Sequence, residues 1–289
     1  MRQLAYGYAA VTLFCLGIAP VGQAELKPIS DETMGKVTGQ AFMQIDDFQD
    51  ATHDFTRMTL GLDVETRVNV DNVKVGEIGG GVDFASQHVA LGHIARNDGV
   101  QYNGRTYSAG ETVHFEAFKP YIELANDAGG ELAGFRMGFG QARGSVSSLT
   151  SSFSGDIGLK LVSGGQEYDA TLFDANTQAT KYRASHIGID DGTADCAQGT
   201  NCAPLTQLRS LYVGEEGTDG VTGFTNDFFI GFQREGVEWQ SPDGANVINA
   251  DKGVFINLPT SMKVEMSQLI GQGVDRLKTH RDNMGTQLF

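Results

Sequence analysis

The short motifs that identify an enzyme from one sequence are missing from this chain. It has no G-x-S-x-G, no H-E-x-x-H and no P-loop. No catalytic residue is therefore nominated, although triads can assemble from positions far apart in a sequence. Basic residues are also scarce, since 21 Lys and Arg stand against 36 Asp and Glu and the net charge is −15. Such a charge repels phosphate backbones and anionic lipid headgroups, which disfavours nucleic-acid binding.

Proline and tryptophan are rare, with 6 and 1 residues, whereas glycine reaches 38. Many glycines and few prolines favour turns and strands over long helices. The 8 tyrosines and the single tryptophan are few for the two aromatic belts of an outer-membrane barrel. A barrel stays among the alternatives because long alternating strands are compatible with it.

The one long apolar run lies at the N-terminus. Tyr8–Ile18 carries no charge, follows Arg2 and precedes a short stretch that places Gly and Ala at the −3 and −1 positions. This layout is typical of a secretory signal peptide over residues 1–24, cleaved between Ala24 and Glu25. The run is shorter than the ~20 residues of a spanning helix, so we expect no transmembrane helix after cleavage. Removal of Arg2 lowers the net charge from −15 to −16.

Residues 25–41 are predicted to form a short helical segment at the start of the mature chain. Ser30 is a good N-cap, Ile29 and Met34 occupy the two hydrophobic positions around that cap, and Gly39 supplies a C-terminal stop. A helix of about two turns does not persist alone in water. We therefore expect this segment to dock on the domain or on a partner.

The clearest structural signal runs from Leu60 to Asp71. Apolar side chains alternate with polar or small ones over these 12 residues. Period-two alternation predicts one long strand with a dry face and a wet face.

Strand-like runs of the same style fill a β-rich domain that we place at residues 42–262. The predicted fold class is all-β, with β-sandwich-like antiparallel sheets. A β-solenoid and an outer-membrane barrel are the alternatives. VKVGEI (73–78) resembles VALGHI (89–94), but two copies are too few for a repeat family, and we interpret the pair as chance similarity. The runs are Phe84–Ile94, Thr112–Phe118, Tyr121–Leu124, Leu132–Phe139, Ser154–Leu161, Tyr168–Phe173, Ser210–Val213, Phe228–Phe232 and Val254–Leu258.

Glycine-containing turn signals separate these runs, as hairpins require. They include Asn97–Gly99, Asn103–Gly104, Ala128–Gly130, Ser163–Gly165 and Asp243–Gly244.

The last segment, residues 263–289, is interpreted as a tail with a candidate helix. Apolar residues from Val264 to Leu277 lie loosely at helical spacing. Helix-length amphipathic segments are otherwise scarce in the chain.

Cys196 and Cys202 are the cysteines that remain once the signal peptide, with Cys15, is removed. In an exported protein, two cysteines this close are predicted to form a disulfide that closes one loop. A metal site is the alternative, but neither His nor further Cys lies near them in sequence to complete a zinc-type ligand set.

Acidic and histidine clusters give no firm metal site. The Asp190–Gly192 stretch offers carboxylates of the kind that calcium prefers, yet neither it nor Asp46–Asp50 has EF-hand spacing, and solvated acidic loops are the main prediction. No cofactor is therefore assigned. His88 and His93 are five residues apart, which predicts opposite faces of a strand rather than a shared metal. The serine-rich stretch Ser145–Ser154 is interpreted as a turn region with exposed hydroxyls.

Four stretches of the mature chain resemble one family. The segment ISDETMGKVTGQAF (29–42) is similar to the L-S-D-E-x-L-x-x-V-T-G-Q-A opening of FilA-like pilus-system and exported envelope proteins of proteobacteria, with Gly39 and Gln40 matching its core. FTRMTLGLDVET (55–66), the stretch from 121 to 144 and GVDRLKTHRDNMG (273–285) resemble later blocks of that group. The resemblance implies an envelope or filament component and no catalytic residues.

Three functional hypotheses follow from these observations. The first is a non-enzymatic exported protein at the cell surface, outer membrane or periplasm, whose partners are other envelope or filament proteins or further copies of itself. The second is an outer-membrane barrel. The third is a secreted carbohydrate-binding or carbohydrate-active β-sandwich, which ranks lowest because the acidic residues show no distinctive pairing.

Overall fold

The structure is a computed structural model that describes residues 42–218 and 221–280. Three predictions lie outside the described residues. They are the cleavage between Ala24 and Glu25, the helical segment 25–41 and the motif residues Gly39 and Gln40. The first strands are β1 (Met43–Gln49), β2 (His53–Leu60), β3 (Asp63–Thr66), β4 (Val68–Ile78), β5 (Gly81–Leu91), β6 (His93–Ile94), β7 (Val100–Tyr102), β8 (Arg105–Tyr107), β9 (Thr112–Val113), β10 (Phe115–Asp127), β11 (Leu132–Ser152) and β12 (Gly155–Ile157).

The second half of the chain continues in the same manner, with shorter strands. A 3-10 turn covers Leu205–Gln207, and a short helix, α1, covers Met266–Gly271. Among the described residues, no helix has the length and apolar character needed to cross a bilayer. The strands are β13 (Lys160–Ser163), β14 (Gln166–Asp169), β15 (Thr171–Phe173), β16 (His186–Gly188), β17 (Cys202–Pro204), β18 (Ser210–Val213), β19 (Phe229–Gln233), β20 (Val237–Gln240), β21 (Val247–Ala250), β22 (Gly253–Leu258) and β23 (Lys263–Glu265).

The prediction of an all-β fold built from antiparallel sheets is confirmed. The principal layer, here called the main sheet, has the order β1-β2-β10-β11-β19-β22-β12. Its neighbours pair antiparallel except β12 and β22, which are parallel. A second sheet has the order β4-β5-β11-β18. The start of the predicted tail is a strand, because Lys263–Glu265 pairs in parallel with β13 before α1 begins.

Strand β11 belongs to both sheets because its partners change at Gly144. Up to Arg143 it pairs with β10, and from Gly144 onward it pairs with β18 and β5. Gly144 has a φ of +140°, a conformation that favours glycine. A Cβ atom at this position would lie 2.9 Å from the ring of Phe115. Side chains of the two sheets, such as Ile256 and Leu211, then meet in one apolar core, which gives the sandwich-like arrangement.

The prediction of one continuous strand from Leu60 to Asp71 is wrong, although its alternation is present. Strand β2 ends at Leu60, β3 covers 63–66 and β4 begins at Val68. The break arises where the pairing changes. The carbonyl of Leu62 accepts a hydrogen bond from Lys119, which has a φ of +52° inside β10, and β4 then leaves β10 to pair with β5. From 60 to 69, the apolar side chains and Thr66 are half-buried, and the other polar side chains are exposed.

The structure corrects the interpretation of the serine-rich stretch and agrees with the interpretation of the two similar hexapeptides. The serine-rich stretch Ser145–Ser154 is not a turn, because most of it forms the second half of β11, and Ser145 and Ser147 are buried. The similar hexapeptides 73–78 and 89–94 lie on the antiparallel pair β4–β5 and its continuation. Solenoid rungs would stack in parallel, so this geometry agrees with chance similarity.

Several predicted turns are confirmed as hairpin connections. Asn103–Gly104 joins β7 to β8, and Gly164–Gly165 joins β13 to β14. Both residues of each pair have positive φ angles between 50° and 80°, which two-residue hairpin turns of this type require.

Cys196 and Cys202 form a disulfide, as predicted, with a Cα–Cα distance of 4.9 Å. Both cysteines are buried and pack with Phe173, the last residue of β15. The bond therefore fixes a loop against the domain rather than linking distant strands.

Replacing both cysteines by serine is expected to lower the free energy of unfolding by about 2 kcal/mol, because the closed loop is short. Chemical denaturation of the oxidised, reduced and Cys196→Ser/Cys202→Ser proteins measures this loss. Reduction of the unaltered protein should reproduce the effect of the double variant, and an unchanged midpoint in both would contradict it.

Candidate binding surface

The two faces of the main sheet differ sharply in chemistry, because successive side chains of a strand point to opposite sides. The register aligns apolar residues on one face. One position along each strand, it aligns four charged residues on the other face, followed by Gly231 and Phe255. The apolar row is Ile45, Met58, Ile122, Met137, Ile230 and Ile256. The opposite row is Asp46, Arg57, Glu123, Arg136, Gly231 and Phe255.

The apolar row is covered at one end of the sheet and open at the other. Ile45 on the edge strand is 55% exposed, Ile122 43%, Met137 41% and Ile256 8%, and Met58 and Ile230 are half-buried. The second sheet covers the β19–β22 end, whereas no described residue covers β1, β2 and β10 to the same degree. We call the uncovered part the open face. It consists of Met43, Ile45, Met58, Leu60, Ile122 and Met137.

A groove follows the open face and continues between the sheets. Its outer part has a volume of about 440 Å³ and includes Met58, Leu60 and Ile122 in its wall. Its inner part, about 240 Å³, lies between the two sheets. Met137 and Phe139 line both parts. Contiguous apolar surface of this kind marks binding sites in soluble proteins.

The other face of the same strands holds a buried row of three charges. Glu123 and Arg136 are fully buried at 0% exposure, and Arg57 is nearly so. Arg136 Nη2 donates to Glu123 Oε2 at 3.0 Å, and Arg57 Nε donates to the same carboxylate. The carbonyl of Gln240, on the hairpin β20–β21, accepts from both guanidinium groups. The hairpin thus covers this face while the opposite face stays open.

Aromatic rings complete the enclosure of Arg136. Its guanidinium carbon lies 4.8 Å from the ring centre of Phe229, 5.0 Å from Trp239 and 5.3 Å from Tyr121. Burial raises the pKa of the Tyr121 hydroxyl to about 12. Glu123 and the Gln240 carbonyl accept from Arg136 Nη2, whereas Arg136 Nε and Nη1 are buried without a hydrogen-bond partner among the described residues.

A serine–histidine pair joins β11 to the short strand β6 and has the contact expected of a nucleophile and its base. His93 Nδ1 lies 2.7 Å from Ser145 Oγ. Both side chains are buried, and the ring of Tyr102 packs edge-on against His93 with centroids 4.5 Å apart. A nucleophile must be reached by its substrate, so this arrangement serves as a hydrogen bond in the core. Burial lowers the pKa of His93 to about 4.

The acidic residues singled out from the sequence hold their own loops together. Asp191 accepts hydrogen bonds from the backbone and hydroxyl of Thr193 and from Asn201. The hydroxyl and backbone of Thr193 therefore lower the pKa of the Asp191 carboxyl. Asp195 accepts from two following backbone N–H groups. Within 42–218 and 221–280, no group of three or more His, Cys, Asp or Glu side chains is placed to hold a metal ion.

Comparison with known proteins adds no relative. No family model, curated protein or solved structure matches the chain.

Sequence reasoning missed the open face and the buried charges behind it. A signal for the charges was present, because Arg57, Glu123 and Arg136 each interrupt an apolar strand-like run. The sequence signal for the open face is weaker. Alternation shows that Ile122 and Met137 are on one side of their strands, but it does not show which residues cover that side.

Proposed function

We propose that this chain is a non-enzymatic, exported protein of the cell envelope that acts by binding another protein through the open face. The observation that carries the proposal is the uncovered part of the apolar row, from Ile45 to Met137. An exposed row of methionine and isoleucine side chains does not stabilise a monomer. A docking surface, by contrast, requires exposed apolar side chains of this kind.

Three features support export and envelope location. The signal-peptide pattern of residues 1–24 predicts secretion. The Cys196–Cys202 bond is of a kind that persists in oxidising compartments. The similarity of the segment 29–42 to FilA-like proteins points to an envelope or filament system as the setting. The partner is then another envelope or filament protein.

Replacing Ile122 by lysine is expected to release the protein from its assembly. A lysine in the centre of the open face would be desolvated by the partner, which lowers affinity by at least about tenfold. Cells that express the variant are fractionated into sheared surface material, outer membrane and soluble periplasm. We expect the unaltered protein with the surface or membrane material and the variant in the periplasm.

Val247→Lys is the matched control, because Val247 is 57% exposed on β21, away from the open face. It should fractionate like the unaltered protein. An unaltered protein found only in soluble periplasm, or equal behaviour of Ile122→Lys and Val247→Lys, would refute the proposed function.

A further inference from the structure

A polar pocket lies on the side of the main sheet opposite the open face, where the turn of the β20–β21 hairpin reaches strands β1 and β2. It is lined by Gln44 and Asp46 from β1, by Thr59 from β2 and by Asp243 from the hairpin turn. Asp46 belongs to the row opposite the apolar one, and Gln44 and Thr59 pair with each other in the next row of the same face. The volume of about 370 Å³ falls in the lower part of the ~300–1,000 Å³ range of ligand pockets, so the pocket suits one small ligand.

A buried guanidinium in the wall of the pocket has hydrogen-bonding capacity to spare. Arg57 lines the pocket although the residue is only 7% exposed, and an arginine carries five N–H donors. Its Nε donates to Glu123, and its Nη2 donates to the Gln240 carbonyl at 2.9 Å. Its Nη1 reaches the Pro242 carbonyl only at 3.4 Å, beyond the ~2.7–3.2 Å of an ordinary bond. An acceptor in the pocket would therefore complete the bonds of this guanidinium.

Two pairs of a carboxylate and a carboxamide border the pocket. Gln44 Nε2 donates to the Asp46 carboxylate at 2.8 and 2.9 Å. Asn226 Nδ2 donates to Asp243 at 2.7 Å. The backbone N–H of Ala245 and the Asn226 amide lower the pKa of the Asp243 carboxyl, so it is an acceptor at neutral pH. Each pair keeps further carboxylate lone pairs and the amide oxygen for a ligand that donates hydrogen bonds.

The charges that line the pocket balance. Two carboxylates, Asp46 and Asp243, stand with two cations, Arg57 and Lys119. A phosphate would meet the carboxylates, and a metal ion or an amine would meet the cations. An uncharged ligand avoids both repulsions. Hydroxyl groups both donate and accept, which matches a wall that mixes donors and acceptors.

We infer that this pocket binds a neutral saccharide. Hydroxyl groups on a sugar ring donate to Asp46 and Asp243, and their oxygens accept from Arg57 and Lys119. Gln44, on the edge strand, is exposed, so the pocket is open at that edge and can take one unit of a longer glycan. Saccharide binding is then a second function, separate from protein binding, because the open face lies on the other side of the main sheet.

An amino acid, with one charge of each sign, is the competing class of ligand. Its ammonium group would have to leave water for carboxylates that already accept from Gln44 and Asn226. Its carboxylate would meet Arg57, whose charge is already paired with Glu123. Neither charge of the zwitterion gains a full partner, so desolvation disfavours it.

A printed glycan array, probed with the purified mature protein, tests the inference. Neutral glycans should bind. For the strongest of them, Asp46→Asn should weaken affinity about tenfold or more, the usual loss for one hydrogen bond to a charged group. Asp47→Asn is the matched control, because Asp47 is the next residue of β1 and accepts from Thr56 on the other face. It should bind like the unaltered protein. Absence of binding to every glycan, binding of anionic glycans alone, or equal affinities of the two variants would overturn the inference.

Titration calorimetry with the same neutral glycan separates the classes of ligand. Its affinity should change less than about twofold between ~0.05 and ~0.5 M NaCl, because salt screens only interactions between charges. Glycine and inorganic phosphate are the charged probes, and displacement of the glycan by either would assign the pocket to charged ligands instead. Ile122→Lys should keep glycan binding, so failure of the proposed protein interface is distinguishable from failure of this site. Loss of glycan binding in Ile122→Lys would place the glycan on the open face and contradict the inference.

Discussion

Replacing Glu123 by glutamine is expected to lower the free energy of unfolding by about 3–5 kcal/mol, the range seen when one partner of a buried ion pair is removed. Glu123 is the only negative charge that contacts the guanidinium groups of Arg57 and Arg136 among the described residues. A neutral glutamine would leave two buried positive charges facing each other across the main sheet. Chemical denaturation at neutral pH measures the loss.

Glu131→Gln is the control for this prediction. Glu131 also pairs with an arginine, Arg234, at 3.0 Å, but its side chain is 74% exposed. Surface pairs contribute little, so this variant should change stability by less than about 1 kcal/mol. Equal losses for Glu123→Gln and Glu131→Gln would show that the buried row is not under the electrostatic constraint inferred here.

Removing all three charges together should be far less damaging than removing Glu123 alone. Desolvation of ions opposes their attraction, and buried ion clusters are often replaceable by apolar residues of similar size. We therefore expect Arg57→Met/Glu123→Leu/Arg136→Met to recover most of the stability that Glu123→Gln loses. The row would then serve mainly to fix the register of β2, β10 and β11.

Acid is expected to destabilise the protein through His93. Burial lowers its pKa from 6.5 to about 4, so the folded state resists a proton that the unfolded state accepts. Above pH 6.5 both states are neutral at this residue, and the contribution is complete. As pH falls from 6.5 to 4 the contribution is lost, by about 3 kcal/mol at ~1.4 kcal/mol per pKa unit.

The test compares slopes rather than absolute stabilities. His93→Gln can keep a hydrogen bond to Ser145 but cannot titrate, so its unfolding free energy should fall less steeply than that of the unaltered protein between pH 6.5 and 4. His114→Gln, at a side chain that is 42% exposed, is the control and should keep the original slope. Identical slopes for His93→Gln and the unaltered protein would contradict the assignment.

Strand character was predictable because it depends on local pattern. The runs ending at Phe139, Val213 and Leu258 all lie on strands of the structure, and the Asn103–Gly104 turn followed from backbone preference alone. Strand limits were less predictable. Leu60–Asp71 alternates without interruption, yet it divides among three strands because β10 changes partners opposite Leu62.

The candidate site could not be predicted from sequence because it depends on pairing between distant segments. Met58, Ile122 and Ile230 become neighbours only through the register of four strands. Whether such a row is covered depends on where the second sheet ends, which no local pattern encodes. Likewise, Ser145 was predicted to be exposed because serine is common in turns, but His93 and the strand register bury it.

Strand β11 passes from one sheet into the other and so couples the positions of the two layers. Residues 132–143 and 144–152 form one continuous strand. No loop therefore separates the part of β11 that belongs to one layer from the part that belongs to the other. Separating the two layers would therefore require β11 to bend near Gly144. Met137 and Phe139 line both the space between the layers and the outer part of the groove, so a side chain that binds on the open face lies next to that space.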